Sequence, residues 1–447
     1  VAFLSEPVKG KPLTRWLVFA SGSESKNSSV VSVKGGFSPT LMPEASIKLA
    51  EFEQEHLLKY YDTLSEERKN ALLDQIENTD LSVISHITDF GRNDSRGVFS
   101  PLAAIQLDEI IRREQEFHDA GVKAIKEGKT AALLLAGGMG TRLGSDNPKG
   151  MFDIGETKHV YIFQRIIENL LDVVNETSTW IRLFIMTSEK NNNATISFLK
   201  EHDFFGYRED KINFFVQDMA PACDRNGKIY LEAPDRISTS PNGNAGWYSS
   251  LIKAGLGHIF EDEGIDWINV FAVDNVLQRI CDSCFVGATL LAGVSVGAKV
   301  VRKAAPDERV GVMCLEDGKP SIVEYYELSE EMMNAKDENG DPAYNYGVIL
   351  NYLFHLPELA NVADDKMPLH IVEKKIPYID DDGNLVRPET SNGFKFEQLV
   401  LDMIHLLDSC LPYEVIREKE FAPIKNAIGV DSVESARALC NLNGIEL

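Results

Sequence analysis

Short apolar runs alternate with helical segments between Thr130 and Thr289, and no other feature constrains the fold of this chain as strongly. The apolar runs are TAALLLA, WIRLFIMT, INFFVQ and WINVFAV, and the segment VYIFQRIIENLLDVV is predicted to be helical. Buried strands separated by helices are typical of a parallel α/β sheet, which binds ligands at the carboxyl ends of its strands. We therefore predict an α/β fold with a ligand site at that edge of the sheet.

The regions on either side of this sheet have different patterns. Residues 1–43 are rich in Ser, Gly and Lys and are predicted to be a disordered leader. Residues 44–129 are predicted to be a helical N-terminal region, because apolar side chains recur at helix spacing, as at Leu49, Phe52, Leu57 and Tyr60. From Gly293 to about Lys425, β-branched residues and the turns EDGKP, DENGDP and DDDGN predict a mixed sheet extension with hairpins.

The composition excludes several classes of function. The chain has 447 residues, with 45 Lys and Arg against 69 Asp and Glu and a formal net charge of -24. A field of this sign repels nucleic acids and anionic membranes, so a polyanionic ligand requires a local cationic pocket. No apolar run reaches the roughly 20 residues of a transmembrane helix. We expect a cytoplasmic protein that binds neither nucleic acid nor membrane and whose six cysteines are thiols.

The stretch LLLAGGMGTRLGSDNPKGMFDIG, from Leu133 to Gly155, follows the first of the apolar runs. The missing side chains of Gly137 and Gly138 would let backbone N–H groups face a ligand. Arg142 and Lys149 add positive charge that suits phosphate groups. The glycine spacing does not fit a dinucleotide-binding fingerprint, and the lysine comes too late for a Walker motif.

The segment LAGGMGTRLGSDNPKG, from Leu135 to Gly150, resembles the signature of nucleotidyltransferases that join a nucleoside triphosphate to a sugar phosphate. Over a longer region, from about Glu44 to Ala427, the chain resembles eukaryotic-type UDP-N-acetylhexosamine pyrophosphorylases. The segments that carry this resemblance follow the expected order: FFVQDM, APDRISTSPNGNAGWY, FAVDNVL, ERVGVMCLEDGKPSIVEYYEL, YNYGVILNYLF, LHIVEKKIPYID, SNGFKFEQLVLD and REKEFAPIKNA.

This resemblance implies a Rossmann-like, GT-A-like nucleotidyltransferase fold, in which helices flank a mixed sheet. It places the catalytic domain at residues 130–427 and a short remnant of a C-terminal domain at residues 428–447. The implied activity is that of a UTP:N-acetylglucosamine-1-phosphate uridylyltransferase, which makes UDP-N-acetylglucosamine and pyrophosphate. The alternatives are a UDP-glucose or broad-specificity UDP-sugar pyrophosphorylase and a non-catalytic sugar-nucleotide-binding paralogue.

The resemblance also implies a nucleotide-binding set, which consists of Gly137, Gly138, Gly140, Thr141, Gln217, Gly243 and Asn244. The uracil would be read by Gln217, whose amide offers both a donor and an acceptor, together with backbone groups of the glycines. Asn244 is expected beside the ribose or the sugar. Two ordinary roles stay open, because Gln217 could close a strand and Asn244 could belong to an Asn-Gly turn.

Asp274 follows the apolar run WINVFAV, so its carboxylate is expected at the ligand edge of the sheet. The resemblance implies that it holds Mg²⁺ or Mn²⁺, although it could instead cap a helix. Arg142, Lys149 and Lys425 are the expected catalytic cations, which offset the repulsion between two polyanionic substrates. Outside its motif APIKNA, Lys425 would be an ordinary surface lysine. No general base is required, because a sugar phosphate is already anionic.

The amino sugar is assigned by the resemblance to Gly311, Glu324 and Asn345. Glu324 could accept hydrogen bonds from sugar hydroxyls, or it could be a solvated strand residue. The chain departs from the family at Asn345-Tyr346-Gly347-Val348, where the family usually has N-A-G-N. His370 is expected in packing or near the sugar rather than as a base. The expected partners are UTP and N-acetylglucosamine 1-phosphate, and the chain is expected to be a monomer or a homodimer.

Overall fold

The computed structural model describes residues 43–90, 96–361 and 367–447, so the predicted leader, except for Pro43, lies outside the described residues. Residues Glu44–Leu447 form one compact unit. Its strands are β1 Phe99–Pro101, β2 Thr130–Leu135, β3 Arg182–Thr187, β4 Ile212–Val216, β5 Met219–Pro221, β6 Cys223–Asp224, β7 Leu231–Ala233, β8 Arg236–Ile237, β9 Thr239–Pro241, β10 Trp267–Ala272, β11 Val296–Arg302, β12 Val312–Glu316, β13 Lys319–Val323, β14 Tyr346–His355, β15 His370–Lys374, β16 Tyr378–Ile379, β17 Leu385–Val386, β18 Gly393–Glu397 and β19 Cys410–Glu414.

Helices and short 3-10 turns connect these strands. The helices are α1 Pro43–Glu51, α2 Glu66–Asn78, α3 Leu107–Arg112, α4 Glu114–Lys126, α5 Ile162–Thr177, α6 Asn192–Glu201, α7 Trp247–Lys253, α8 His258–Glu263, α9 Ser283–Ala292, α10 Glu330–Asn334, α11 Leu356–Leu359, α12 Val400–Leu406, α13 Arg417–Glu420 and α14 Val433–Leu442. In the part of the chain that the structure describes, none of the helices has the length and apolar character needed to span a bilayer.

The main sheet is mixed and contains ten strands within the described ranges. Four of them are parallel neighbours in the order β10, β2, β3, β4. On the other side of β10 lies antiparallel β14, which also pairs with β11, and β11 runs parallel to β19. β12 pairs with β14, β13 and β1. The predicted mixed α/β sheet with flanking helices is confirmed.

Strand β2 is buried on both faces, which explains its uninterrupted apolar sequence. Ala132 and Leu134 lie in one hydrophobic core together with the apolar side chains of α5. Ala131 and Leu133 lie in a second core together with side chains of α7 and α12. Since helices cover both faces of the sheet, a ligand can approach the parallel strands only at their ends.

The N-terminal region is helical but more interrupted than its apolar spacing predicts. Helix α1 ends at Glu51, and Glu53 has a positive φ of 55°. This break is favoured by contacts with residues that are distant in sequence. The Gln54 side chain accepts a hydrogen bond from the Ile229 backbone at 2.9 Å and donates one to the Gly227 carbonyl at 2.9 Å. β1 also adds a short strand to the main sheet. The predicted division of this chain into domains stays a prediction.

The last third of the chain contains the expected hairpins. The EDGKP turn joins β12 to β13, and the DDDGN turn joins β16 to β17. The DENGDP turn differs, since it is closed by a single bridge between Lys336 and Pro342 rather than by two strands. After the last strand, α14 is tied to the region following the glycine-rich stretch, because the Arg437 side chain donates to the Ile154 carbonyl at 2.9 Å.

Candidate active site

Four neighbouring parallel strands end at the same edge of the sheet. Gly137 follows β2, Ser188 follows β3, Gln217 follows β4, and Asp274 lies two residues after β10. The topology alone therefore delivers Gly137, Gln217 and the predicted metal ligand Asp274 to one edge of the sheet.

The glycine-rich loop is held in place by a residue that the sequence did not indicate, the fully buried Asn191. Its Nδ2 atom donates to the carbonyl oxygens of Ala136 at 2.8 Å and Gly138 at 3.3 Å, and its Oδ1 atom accepts from the Ser188 backbone at 2.7 Å. Lys149 also donates its backbone N–H to Gly138 O at 3.1 Å. The only available signal was the position of Asn191 shortly after an apolar strand and directly before a helix.

Gly138 faces open space, whereas Gly137 is crowded. A Cβ atom added to Gly138 would meet no described atom within 4 Å, but one added to Gly137 would lie 3.0 Å from Oε1 of Gln217. A ligand can therefore approach the backbone more closely at Gly138 than at Gly137. Thr141 and Arg142 follow on the same loop and are both exposed to solvent.

Gln217 links the glycine-rich loop to Gly243. Its backbone N–H donates to the Thr187 carbonyl at 2.8 Å, and its side-chain Nε2 donates to the Gly243 carbonyl. Gly243 itself has a φ of 96°, and a Cβ there would clash with the backbone of Gln398. The structure thus brings together Gly137, Gln217 and Gly243, which are three of the predicted nucleotide-binding residues. The Oε1 atom of Gln217 is turned toward Gly137.

Asp274 and Lys149 form an ion pair, with 3.7 Å between Nζ and Oδ2. Burial lowers the pKa of Lys149, and the positive charges of Arg142 and Lys425 lower it further. The negative charge of Asp274 acts in the opposite direction and raises this pKa. The three predicted cations and the predicted metal ligand therefore share one electrostatic environment. Asp274 is 23% exposed, so its carboxylate is accessible to a ligand.

Lys425 reaches this environment because its segment is bonded to the residues after β10. Ile424 donates to the Asp274 carbonyl at 2.8 Å, and Ala422 donates to the Asn275 side chain at 2.9 Å. The Lys425 ammonium group lies 3.0 Å from Oδ2 of Asp431. The lysine at the end of the expected catalytic region thus lies beside the aspartate near its middle.

A buried ionic cluster holds the segment that leads to Lys425. Lys299 in β11 has no exposed side-chain surface, and its Nζ lies 2.6 Å from Glu420 and 3.0 Å from Asp282. Glu420 precedes the stretch that leads to Lys425. A lysine inside an otherwise apolar strand, GAKVV, was the sequence signal for this cluster, since a buried lysine requires carboxylate partners.

A cavity of about 390 Å³ opens beside these groups. Of the predicted site residues, those that line it are Asn244, Asp274, Gly311, Glu324 and Lys425. Much of its remaining wall is apolar and comes from β14 and the residues around the start of α12, and Arg309 and Tyr325 line it as well. The Asn244 side chain accepts a hydrogen bond from the Val400 backbone at 2.8 Å. This bond connects the wall at α12 to the segment that contains Gly243 and Asn244.

Glu324 lies directly beside Gly311 in the wall of this cavity, because a Cβ added to Gly311 would lie 3.5 Å from Oε1 of Glu324. Burial raises the pKa of Glu324, and the nearby carboxylates of Glu327 and Asp402 raise it further. Nε2 of His370 lies 2.7 Å from Asp402, and this hydrogen bond raises the pKa of His370. A cluster of hydrogen-bonding groups therefore surrounds Glu324.

Asn345 is the predicted sugar residue that the structure does not place on this cavity. It is buried directly before β14, and its backbone oxygen accepts from Lys303 at 2.9 Å. Tyr346 packs beside the Arg302 guanidinium, whereas Val348 lines the cavity. Leu350 lines it too and has a positive φ of 54°, at an irregularity of the β11–β14 pairing. Such bulges change the direction of neighbouring side chains.

The glycine-rich loop at a strand end, a single carboxylate and converging cations define the nucleotidyltransferase class. The sequence profile of the family described as UTP--glucose-1-phosphate uridylyltransferase matches residues 99–443, and the chain belongs to this family.

Relatives at the sequence level support the same assignment. The chain is 36% identical over 396 residues to the UDP-N-acetylhexosamine pyrophosphorylase-like protein 1 of Mus musculus, covering 83% of this chain and 78% of the relative. It is also 36% identical over 408 residues to the UDP-N-acetylglucosamine pyrophosphorylase of Saccharomyces cerevisiae, covering 87% and 84%.

The fold is similar to a solved enzyme structure. The uridine diphosphate N-acetylglucosamine pyrophosphorylase of Trypanosoma brucei superposes with a TM-score of 0.76 and 26% identity, covering 90% of this chain and 85% of the other. The resemblance predicted from sequence motifs is therefore confirmed.

Proposed function

We propose that this chain is a UTP:N-acetylglucosamine-1-phosphate uridylyltransferase. The observation that carries the proposal is one cavity lined by Asp274, Lys425, Gly311 and Glu324, where charges suited to phosphate and metal lie beside a carboxylate suited to sugar hydroxyls. The pyrophosphorylase names of the relatives support this choice of substrate. A cytoplasmic location and the choice between a monomer and a homodimer stay predictions.

In the proposed reaction, the phosphate oxygen of the sugar 1-phosphate attacks the α-phosphorus of UTP in line and expels pyrophosphate. Gly138 presents its backbone to the nucleotide, and Gln217 and Gly243 shape the uracil end. Arg142, Lys149 and Lys425 offset the charge of two polyanions held close together. Glu324 accepts hydrogen bonds from the sugar, whose orientation fixes the approach of its phosphate.

Asp274 is the proposed ligand for a divalent cation, Mg²⁺ or Mn²⁺. The described residues contain no group of three His, Cys, Asp or Glu side chains that could hold a metal alone. An accessible single carboxylate suits Mg²⁺ that is completed by substrate phosphates and water. When bound, such an ion would neutralise phosphate charge, while Lys149 beside Asp274 adds a further positive charge.

Pyrophosphate release tests the proposal, with N-acetylglucosamine, N-acetylgalactosamine and glucose 1-phosphates compared side by side. A site built for an acetamido group disfavours glucose 1-phosphate by about 1 to 3 kcal/mol, so we expect at least a tenfold preference in kcat/KM for N-acetylglucosamine 1-phosphate. N-acetylgalactosamine 1-phosphate should be used less well, because only one hydroxyl changes orientation.

Two other outcomes would contradict the proposal. Preference for glucose 1-phosphate would indicate a UDP-glucose or broad-specificity pyrophosphorylase, a result that the apolar Val348 in the cavity wall would then explain. Absence of turnover with all three substrates, in folded protein supplied with Mg²⁺, would indicate a non-catalytic sugar-nucleotide-binding protein.

A further inference from the structure

Arg309 lies at the edge of the proposed substrate cavity and has no part in the reaction as described above. It lines the 390 Å³ cavity together with Gly311, Glu324 and Lys425. It also lines a second cavity of about 420 Å³, together with Asp307, Leu328 and others. Tyr325 is shared in the same way. The two cavities therefore meet at Arg309 and Tyr325, on the sugar side of the site.

Two other cations of the proposed site have carboxylate partners. Lys149 is paired with Asp274, and Lys425 is paired with Asp431. Arg309 is exposed, and within the described ranges it forms no ion pair. Its guanidinium group is thus able to contact an incoming anion without first breaking an existing ion pair.

The net negative charge of the whole chain makes an unpaired guanidinium group important for binding an anionic substrate. At a net charge of -24, the protein repels a sugar phosphate that approaches from solvent. A guanidinium group at the cavity edge creates a local field of the opposite sign and can form two parallel hydrogen bonds to a phosphate. Arg142 likewise has no ion pair with any residue that the structure describes, but it lies on the glycine-rich loop, on the nucleotide side.

We propose that Arg309 binds the phosphate of the sugar 1-phosphate at the sugar side of the cavity and so determines the affinity for this substrate rather than for UTP. The inference rests on the proposed function, since it names a further residue of the same site. Arg309 acts on the capture of the substrate, and the phosphoryl transfer itself is left to the groups around Asp274.

The test compares wild-type protein with Arg309→Gln and Arg309→Lys in the pyrophosphate-release assay. We expect Arg309→Gln to raise the KM for N-acetylglucosamine 1-phosphate about fivefold or more, with the KM for UTP and kcat within about twofold. Arg309→Lys should keep most of the affinity because it keeps the charge. Arg387→Gln is the matched control, since Arg387 is also exposed but lines neither cavity.

Ionic strength provides a second readout. Between about 0.02 M and 0.3 M salt, the KM of the wild-type protein for the sugar phosphate should rise, and this rise should be smaller in Arg309→Gln. An unchanged KM for the sugar phosphate in Arg309→Gln would overturn the inference. An equal effect in Arg387→Gln, or an equal increase in the KM for UTP, would also overturn it.

Failure of the proposed function would be recognised separately, as absence of turnover in the wild-type protein. In that event, calorimetric titration with N-acetylglucosamine 1-phosphate still tests Arg309. Weaker binding by Arg309→Gln than by Arg387→Gln would support the inference, and equal binding would overturn it.

Discussion

The nucleotide side and the sugar side of the proposed site are built in different ways. On the nucleotide side, the loop after β2 presents backbone, and its shape is fixed by hydrogen bonds from Asn191, while Gln217 holds the neighbouring Gly243 carbonyl. On the sugar side, side chains from β14, Glu324 and the start of α12 form the wall of a cavity. A surface of backbone tolerates few substitutions, whereas a wall of side chains can change its shape and polarity one residue at a time.

The resemblance described for the sequence follows the same division. Its glycine-rich motif is nearly complete, whereas the segment Asn345-Tyr346-Gly347-Val348 departs from the expected pattern. We therefore expect substitutions on the two sides to have separable effects on the two substrates. Three predictions test this separation, and a fourth concerns the stability of the fold in acid.

The largest effect is expected where the two sides meet, at Asp274. Asp274→Asn keeps the shape of the side chain but removes the charge proposed to hold the metal, so turnover should fall about a hundredfold or more. Steady-state kinetics at saturating Mg²⁺ measures this loss, and thermal unfolding checks that the fold persists. Near-normal turnover would remove Asp274 from the metal site.

The next effect concerns the backbone surface. Gly138→Ala adds a methyl group in open space, so stability should stay within about 1 kcal/mol of wild type while the KM for UTP rises about tenfold or more. Gly243→Ala provides the contrast, because its positive φ and its clash with Gln398 should lower the melting temperature. Unaltered UTP kinetics in Gly138→Ala would mean that the nucleotide does not approach there.

The third prediction concerns Glu324, where a substitution should affect the sugar phosphate and not UTP. Glu324→Gln should raise the KM for N-acetylglucosamine 1-phosphate about five- to tenfold and leave the KM for UTP nearly unchanged, since a weaker acceptor replaces the carboxylate. Kinetics with each substrate varied in turn measures the effect. Equal changes for both substrates would show that the two sides do not act separately.

The smallest effect is a loss of stability in acid that arises from Glu316, at the end of β12. Burial alone would raise the pKa of Glu316, but hydrogen bonds from the Arg96 side chain and the Gly97 backbone lower it to about 2. Because the folded pKa lies below the unfolded value of about 4.3, the stabilisation is present above that value and is lost as the pH falls toward 2.

After allowance for the partly exposed Arg96, we expect this loss to be on the order of 1 kcal/mol. Glu316→Gln should show a correspondingly weaker decrease in stability between pH 4.5 and pH 2, as measured by denaturant unfolding. A decrease as steep as that of the wild-type protein would exclude Glu316 as its source.

The sequence predicted those features that depend on short-range pattern. The apolar runs became β2, β3, β4 and β10, and the parallel topology then brought Gly137, Gln217 and Asp274 to one edge. The positions of strand ends are encoded locally, which is why this half of the site was predictable. Their chemical roles stay predictions until the variants above are measured.

Other features depend on contacts between distant segments. The support that Asn191 gives to the glycine-rich loop, and the clash that restricts Gly243 beside Gln398, have no local signature. Asn345 shows the opposite case, because it matched a motif but lies buried outside the cavity. A motif identifies a residue type at a chain position, but the irregular β14 strand determines which side chains of that region line the cavity.

The hydrogen bonds between the Lys425 segment and the residues after β10 also bear on how the protein is made. On the ribosome, β2 and its glycine-rich loop emerge early, and N-terminal parts of a chain generally fold first. Ile424, which donates a hydrogen bond to the Asp274 carbonyl, and the adjacent Lys425 are synthesised much later than Asp274. A nascent chain from which these residues have not yet emerged therefore lacks Lys425, so we expect the proposed site to be complete only after this late segment has been synthesised.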